Sequence, residues 1–249
     1  MDFDFKKPAH ILALLLLIAT FVTVILLPTV MGIYSMISQD EGIVLPQLSD
    51  SIFDQIVLFI LQMGLILFVL VLIPIIWYIL VNNYGLEKIK SSMRITFENI
   101  DTAFLWGVIA AVATFVIFIG ISYLLIALGM DVEDLSNVQD IQQYFPSPVI
   151  LFLLIAIQPI AEEIFFRGFL LDKIESLAGM NVAIISTALL FGLAHMSYGK
   201  IYPVILLIIM GIILAYIVIK TKNIYSAITA HIIFNVVGFA LSLFSDFFT

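Results

Sequence analysis

The sequence contains no cysteine, and charged side chains are scarce. The lack of cysteine excludes disulfide bonds, a thiolate nucleophile and any metal site built on thiolates. Only 11% of the 249 residues are charged, and the formal net charge is −8. Because a nucleic-acid-binding protein is expected to present a basic face, this charge balance predicts no nucleic-acid partner.

Apolar residues make up 63% of the chain, and the mean hydropathy is +1.22. A soluble domain holds roughly 45–50% apolar and about 25% charged residues, so most of this chain is expected to contact membrane lipid. A chain inside a bilayer must pair its backbone polar groups within each segment, which predicts helices. The expected fold is an all-α, polytopic transmembrane helix bundle of about seven to eight spans. Seven apolar segments cover residues 10–34, 55–81, 102–129, 148–166, 182–196, 202–219 and 224–245.

Local signals divide the chain further. Pro28 and Pro74 predict kinks in the first two helices. The polar connection 129–148 separates three plain apolar segments from a half that holds nearly all the unusual residues. We therefore predict an N-terminal three-span region, residues 1–146, and a C-terminal helix bundle, residues 147–249, that carries the chemistry.

Basic residues predict the orientation of the bundle. If the seven segments alternate across the membrane, only Lys200 among the 10 Lys and Arg residues falls on the far side. The positive-inside rule then places the N-terminus in the cytoplasm. We expect an integral protein of the cell membrane whose site faces the cytoplasm.

Ionisable groups inside apolar segments mark the places where a functional site is expected. A charged side chain in a spanning helix costs roughly 2.5–3.5 kcal/mol on insertion, yet Glu162 and Glu163 both lie in or beside an apolar run. Glu163 and Arg167 are one helical turn apart and so face each other. Either they form an ion pair that allows both charges to be buried, or Glu163 has a functional role. Glu162 points about 100° away and has no basic residue at helical spacing, which favours a functional role.

Two histidines also lie in apolar segments, in the patterns Phe191…His195 and His231…Asn235. The members of each pair are one turn apart and share a helix face. A lone histidine near a helix end is usually a hydrogen-bonded structural residue, but two of them beside a carboxylate favour function. Asn235 could instead hydrogen-bond a neighbouring helix, and Phe191 is expected to pack beneath the histidine.

Counting residues from the predicted turns indicates that these groups meet. Glu162 and His195 lie on either side of a turn at Ala178, each about sixteen residues from it, so they stand at a similar depth in an antiparallel helix pair. His231 follows the next turn and reaches a comparable level. The segment 196–200 would then be irregular backbone, which is tolerated only inside protein or beside a wet cavity.

The ordered motifs resemble those of the CPBP (Abi) family of intramembrane proteases, which includes the type II CAAX prenyl endopeptidases. The family pattern is Glu-Glu-x-x-x-Arg, then Phe-x-x-x-His, then His-x-x-x-Asn or a similar residue. The similarity covers about residues 147–246, whereas the N-terminal segments match only in being apolar. In this chain the motifs are Glu162-Glu163 with Arg167, Phe191 with His195, and His231 with Asn235.

The resemblance implies an intramembrane endopeptidase. It implies that Glu162 and His195 bind and activate a water molecule, and that His231 and Asn235 support the tetrahedral intermediate. The ion pair beside them would shape the site. The expected substrate is a membrane-anchored or lipidated peptide, such as a prenylated CAAX-type peptide, cleaved near the cytoplasmic face.

Two questions stay open at the level of sequence. Glu162, His195 and His231 form a chemically sensible set for zinc or another divalent metal, with one position left for water. The His-Glu-x-x-His pattern of ordinary zinc peptidases is absent, and a metal-free glutamate mechanism uses the same residues. The alternatives to proteolysis are a non-proteolytic family member that acts as a membrane scaffold or immunity factor, and a carrier in which these residues form a proton relay.

Overall fold

The computed structural model describes residues 3–38, 51–129, 147–196 and 201–245, and every regular element in these ranges is a helix. Five of the helices are long and apolar enough to cross a membrane, namely Pro8–Ser38, Ile52–Leu80, Ile100–Ala127, Pro148–Ala178 and Ile201–Thr221. The all-α fold is therefore confirmed, and the protein is an integral membrane protein. The eight helices of the described ranges are α1 (Pro8–Ser38), α2 (Ile52–Leu80), α3 (Leu86–Ser92), α4 (Ile100–Ala127), α5 (Pro148–Ala178), α6 (Met180–Ala194), α7 (Ile201–Thr221) and α8 (Tyr225–Ser245).

All seven predicted segments lie on helices, with two differences. Helix α5 continues to Ala178, beyond the predicted end at 166. The prediction ended too early because the last turns of the helix are amphipathic rather than apolar. The short helix α3 was not predicted, since its sequence is largely polar. The predicted turn after Ala178 is present, with Gly179 at a φ of 84°, a conformation that glycine adopts without strain. The predicted irregular segment falls mostly on 197–200, which lies outside the described residues.

Three of the long helices contain wider, π-helical turns. Two of them, Val22–Leu26 and Phe68–Leu72, come directly before the turns that contain Pro28 and Pro74, where kinks were predicted. Proline has no N–H and its ring crowds the carbonyl four residues earlier, so the helix changes its hydrogen-bond pattern there. The third, Ile164–Leu170, lies in α5 and begins immediately after the two glutamates.

Helices α5 and α7 lie at the centre of the bundle. The share of buried residues in their apolar windows is 50% and 44%, against 17% for each of α1, α2 and α4. Helix α6 packs along α7, and α8 packs between α4 and α5. Close approach of α7 to α6 depends on Gly211, where an added Cβ would lie 2.9 Å from the Ala188 Cα atom.

Polar contacts fasten the end of α5 to neighbouring parts of the chain. The Tyr78 hydroxyl donates to Asp172 Oδ2 over 2.8 Å, and Arg94 forms an ion pair with Glu175. Lys173 Nζ lies 4.0 Å from the centroid of the Tyr78 ring, a favourable cation–π geometry. These contacts join residues on both sides of the predicted boundary at residue 146, and the boundary itself stays a prediction.

Candidate active site

The two glutamates lie about halfway along α5, where its backbone is irregular. Pro159 is inside the α-helical part, which ends at Glu163, and the π-helical stretch follows at once. Single π-helical turns within α-helices are frequent at functional sites. Glu162 is 7% exposed and Glu163 is fully buried, so both carboxylates face the interior of the bundle rather than lipid.

Glu163 and Arg167 form the predicted ion pair. Arg167 Nη1 donates to Glu163 Oε1 over 2.9 Å, and both side chains have no exposed surface. Arg167 Nη2 also donates to the Gly211 carbonyl of α7 over 3.3 Å. A buried pair is stabilising only if further hydrogen bonds satisfy its remaining polar atoms. Here Glu163 Oε2 and Arg167 Nε have no hydrogen-bond partner among the described residues, so the pair is held but incompletely satisfied.

His231 of α8 lies between the two carboxylates. Its Nδ1 is 2.8 Å from Glu163 Oε1, and its Nε2 is 3.8 Å from Glu162 Oε2. The ion-paired carboxylate of Glu163 can only accept, so Nδ1 carries the proton. The longer distance exceeds that of a hydrogen bond. His231 therefore has one fixed nitrogen and one nitrogen that faces Glu162 across a short gap.

Gln158 holds the other oxygen of Glu162. Its Nε2 donates to Glu162 Oε1 over 2.6 Å, so the carboxylate is oriented with Oε2 towards His231. The motifs do not include Gln158. Its position one turn before Glu162 is nevertheless the spacing that places two side chains on one helix face, and this was the available sequence signal.

The Phe191 ring of α6 connects the two histidines. Its centroid is 5.6 Å from that of His231 and 4.8 Å from that of His195. The Arg167 Cζ atom lies 4.4 Å from the same centroid. Phe191 is fully buried, and its ring lies against Arg167 of the ion pair as well as against the histidine of its own motif.

His195 is at the C-terminal end of α6, and its Nδ1 is 2.8 Å from the Phe191 carbonyl oxygen. A carbonyl oxygen only accepts, so Nδ1 carries the proton and Nε2 of the neutral ring is an acceptor. Asn235, one turn beyond His231 on α8, is half-buried. No hydrogen bond to its side-chain amide is described.

The candidate metal set of Glu162, His195 and His231 stays a prediction. Among the residues that the structure describes, no group of three or more His, Asp or Glu side chains is placed to hold a metal ion. Glu162 and His231 face each other, but His195 does not complete a three-ligand group with them.

A protein-family comparison covers the part of the chain that contains these residues. Residues 144–237 match the model of the family described as type II CAAX prenyl endopeptidase Rce1-like. These residues form an Rce1-like domain. The match includes all three motifs that gave the resemblance, and because the family is one of proteases, it supports a peptidase. No curated protein and no solved structure matches the chain.

Proposed function

We propose that the protein is an intramembrane endopeptidase in which Glu162 is the general base. The observation that carries the proposal is the buried position of one imidazole, that of His231, between the carboxylates of Glu162 and Glu163. A general base must reach the proton that it removes, directly or through one water molecule. The Glu162 carboxylate has its orientation fixed by Gln158 on one side and faces an imidazole on the other.

Glu163 is the proposed orienting group for His231. It accepts from Nδ1 and so directs Nε2 towards Glu162, as a buried aspartate orients the histidine of a serine protease. Arg167 balances the negative charge of Glu163, and neither of these two side chains has exposed surface. The pair thereby allows a carboxylate to remain ionised inside the membrane-spanning part of the protein.

The proposed reaction balances within the site. A water molecule gives one proton to Glu162 while its oxygen bonds to the carbonyl carbon of the scissile peptide. His195 Nε2 accepts a hydrogen bond from the same water. The Asn235 amide donates to the oxyanion that forms, and so does Nε2–H of His231, which enters the reaction already as an imidazolium between the two carboxylates and leaves it unchanged. When the C–N bond breaks, Glu162 returns its proton to the departing amine.

A prenylated CAAX-type peptide, or another membrane-anchored peptide, is the proposed substrate. The family match over residues 144–237 supports this choice, and so does the position of Glu162 in the middle of a helix of 31 residues. We place the site towards the cytoplasm in the cell membrane, on the strength of the Lys and Arg distribution.

The test is cleavage of a farnesylated CAAX peptide by the purified protein and by Glu162→Gln. The substitution keeps the size and one hydrogen-bonding oxygen of the side chain but removes the base. We expect a loss of about 100-fold or more in kcat, the usual scale for a general base. The same assay with a chelator distinguishes a metal-dependent reaction, which the chelator stops, from the metal-free glutamate mechanism, which persists.

Glu87→Gln is the matched control, since Glu87 lies on α3 with a side chain that is 88% exposed. It should cleave as the unaltered protein does. Equal turnover by Glu162→Gln would remove Glu162 from the mechanism. A peptide of the same sequence without the farnesyl group reports whether the prenyl chain is required.

An imidazole between two carboxylates also suits a proton relay, so a carrier is the second candidate. Proton flux into liposomes distinguishes the two functions. Flux that is lost in His195→Ala, together with no cleavage of any lipidated peptide, would favour the carrier over the protease.

A further inference from the structure

A second polar feature lies between the start of α1 and the end of α2. It is a cavity of about 480 Å³, whose polar lining consists of Lys7, His10, Asn82 and Asn83. Each of these side chains can donate a hydrogen bond, and lysine can do nothing else. No described carboxylate belongs to the lining. The chemistry of the cavity therefore suits an anion.

His10 is the buried member of this set. It is 4% exposed, and its Nδ1 accepts the backbone N–H of Asp4 over 3.0 Å. The neutral ring must then carry its proton on Nε2. Among the described residues no acceptor for Nε2 is present, so this donor remains for a ligand. A ligand with an oxygen acceptor in the cavity would satisfy it.

The other lining groups also remain donors. Asn82 Oδ1 accepts from Lys173 Nζ over 3.0 Å, which leaves the NH₂ group of Asn82 for a ligand. Lys7 forms no ion pair within the described ranges. Helix α1 begins beside it at Pro8, so the positive end of the helix dipole adds to the field at the cavity.

The position of the cavity indicates which anion it meets. Two candidate spans have an end here, α1 at Pro8 and α2 at Leu80, so the cavity lies where both helices leave the apolar layer. Lipid phosphates occupy this level of a bilayer. On the same two helices, the apolar side chains of Leu12 and Ile79 are 53% and 46% exposed, so they are available to the acyl chains of a lipid.

We propose that this cavity binds the phosphate group of an anionic membrane lipid. Lys7 and His10 Nε2 donate to the phosphate oxygens, and the two asparagine amides surround the rest of the headgroup. The site shares no residue with the proposed peptidase site, and it stands whether or not the protein cleaves peptides.

Native mass spectrometry of the purified full-length protein tests the proposal. The protein is titrated separately with short-chain phosphatidylglycerol, with short-chain phosphatidylcholine and with inorganic phosphate. We expect phosphatidylglycerol to bind about tenfold tighter than phosphatidylcholine. Both lipids can accept charge-assisted hydrogen bonds at the phosphate, but only phosphatidylglycerol carries a net negative charge that attracts Lys7. Inorganic phosphate should bind more weakly than phosphatidylglycerol, since it lacks acyl chains.

Variants assign the binding to the cavity. Lys7→Gln removes the charge of a lining residue, and Lys6→Gln is its neighbour and control, with the same change of charge outside the lining. His10→Asn keeps an acceptor near the position of Nδ1 but removes the Nε2 donor. We expect Lys7→Gln and His10→Asn each to weaken phosphatidylglycerol binding about tenfold and Lys6→Gln to change it less than about twofold.

Three outcomes would overturn the proposal. The first is equal binding of the two lipids, and the second is equal weakening by Lys6→Gln and Lys7→Gln, which would leave only a general surface charge. The third is inorganic phosphate that binds as tightly as phosphatidylglycerol, which would make the ligand a free anion. If His10→Asn does not fold, the Lys7 and Lys6 pair still decides.

Discussion

The N-terminal spans and the central C-terminal spans are similarly apolar but differ in what covers them. Helices α1, α2 and α4 have mean hydropathies of 2.9, 3.2 and 2.6, and α5 and α7 have 2.1 and 2.8. The buried share of each N-terminal window is 17%, whereas it is 50% in α5 and 44% in α7. In a membrane, therefore, hydropathy does not tell a lipid-facing helix from a central one. Buried ionisable groups do, since they must face protein.

The largest effect on stability is expected from a substitution of Arg167, which is buried on the central helix α5. Arg167→Leu leaves Glu163 buried without its cation, and breaking a buried ion pair on one side costs about 3–5 kcal/mol. We expect a large fall in the thermal midpoint of unfolding. The measurement is tryptophan fluorescence of the protein in detergent as a function of temperature.

The double variant Glu163→Gln/Arg167→Leu provides the control for this prediction. It removes both charges, and the glutamine oxygen can still accept from His231 Nδ1. It should recover part of the lost stability. If the single and double variants have the same thermal midpoint of unfolding, charge burial does not explain the importance of Arg167.

A smaller effect is expected from glycine substitutions that compare the two regions directly. Gly211→Ala places a Cβ 2.9 Å from the Ala188 Cα atom, and overpacking of this kind costs about 1–3 kcal/mol. Gly120→Ala, in α4, meets nothing within 4 Å and should be neutral or slightly stabilising, because alanine favours the helix. Equal unfolding midpoints for the two variants would contradict the central position of α7.

The smallest effect is expected from Gln158, and it concerns activity rather than stability. Gln158→Leu removes the hydrogen bond that orients Glu162, and we expect a decrease in kcat of about tenfold, equivalent to about 1.4 kcal/mol. KM should change little, because the substrate is not expected to contact the Gln158 side chain.

Gln55→Leu is the control for this variant. Gln55 is a buried glutamine of α2 that accepts the Ser147 N–H at the start of α5 over 3.0 Å. Its loss should lower stability without changing kcat. If both variants lower kcat equally, Gln158 acts through the fold and not through Glu162.

Local rules were sufficient for those features that depend on one helix. The seven segments follow from apolar run length, and the Glu163–Arg167 pair follows from its four-residue spacing. The contact between Glu163 and His231 could not be predicted, since it depends on how α5 crosses α8. Helix α3 and the end of α5 were also not predicted, because the chain there is too polar to be recognised as helical from its hydropathy. The π-helical stretch has no simple sequence signal.

That stretch, Ile164–Leu170, separates the two ends of α5 in their rotational register. Each residue of a helix turns the chain by about 100°, so deleting one residue from the stretch would rotate everything after it by that angle. Asp172 would swing away from Tyr78 and Glu175 from Arg94, while the turn that carries Glu162 would keep its orientation. The π-helical turns thus set the rotation of the end of α5 relative to its middle, so that one continuous helix contacts two separate sets of neighbours.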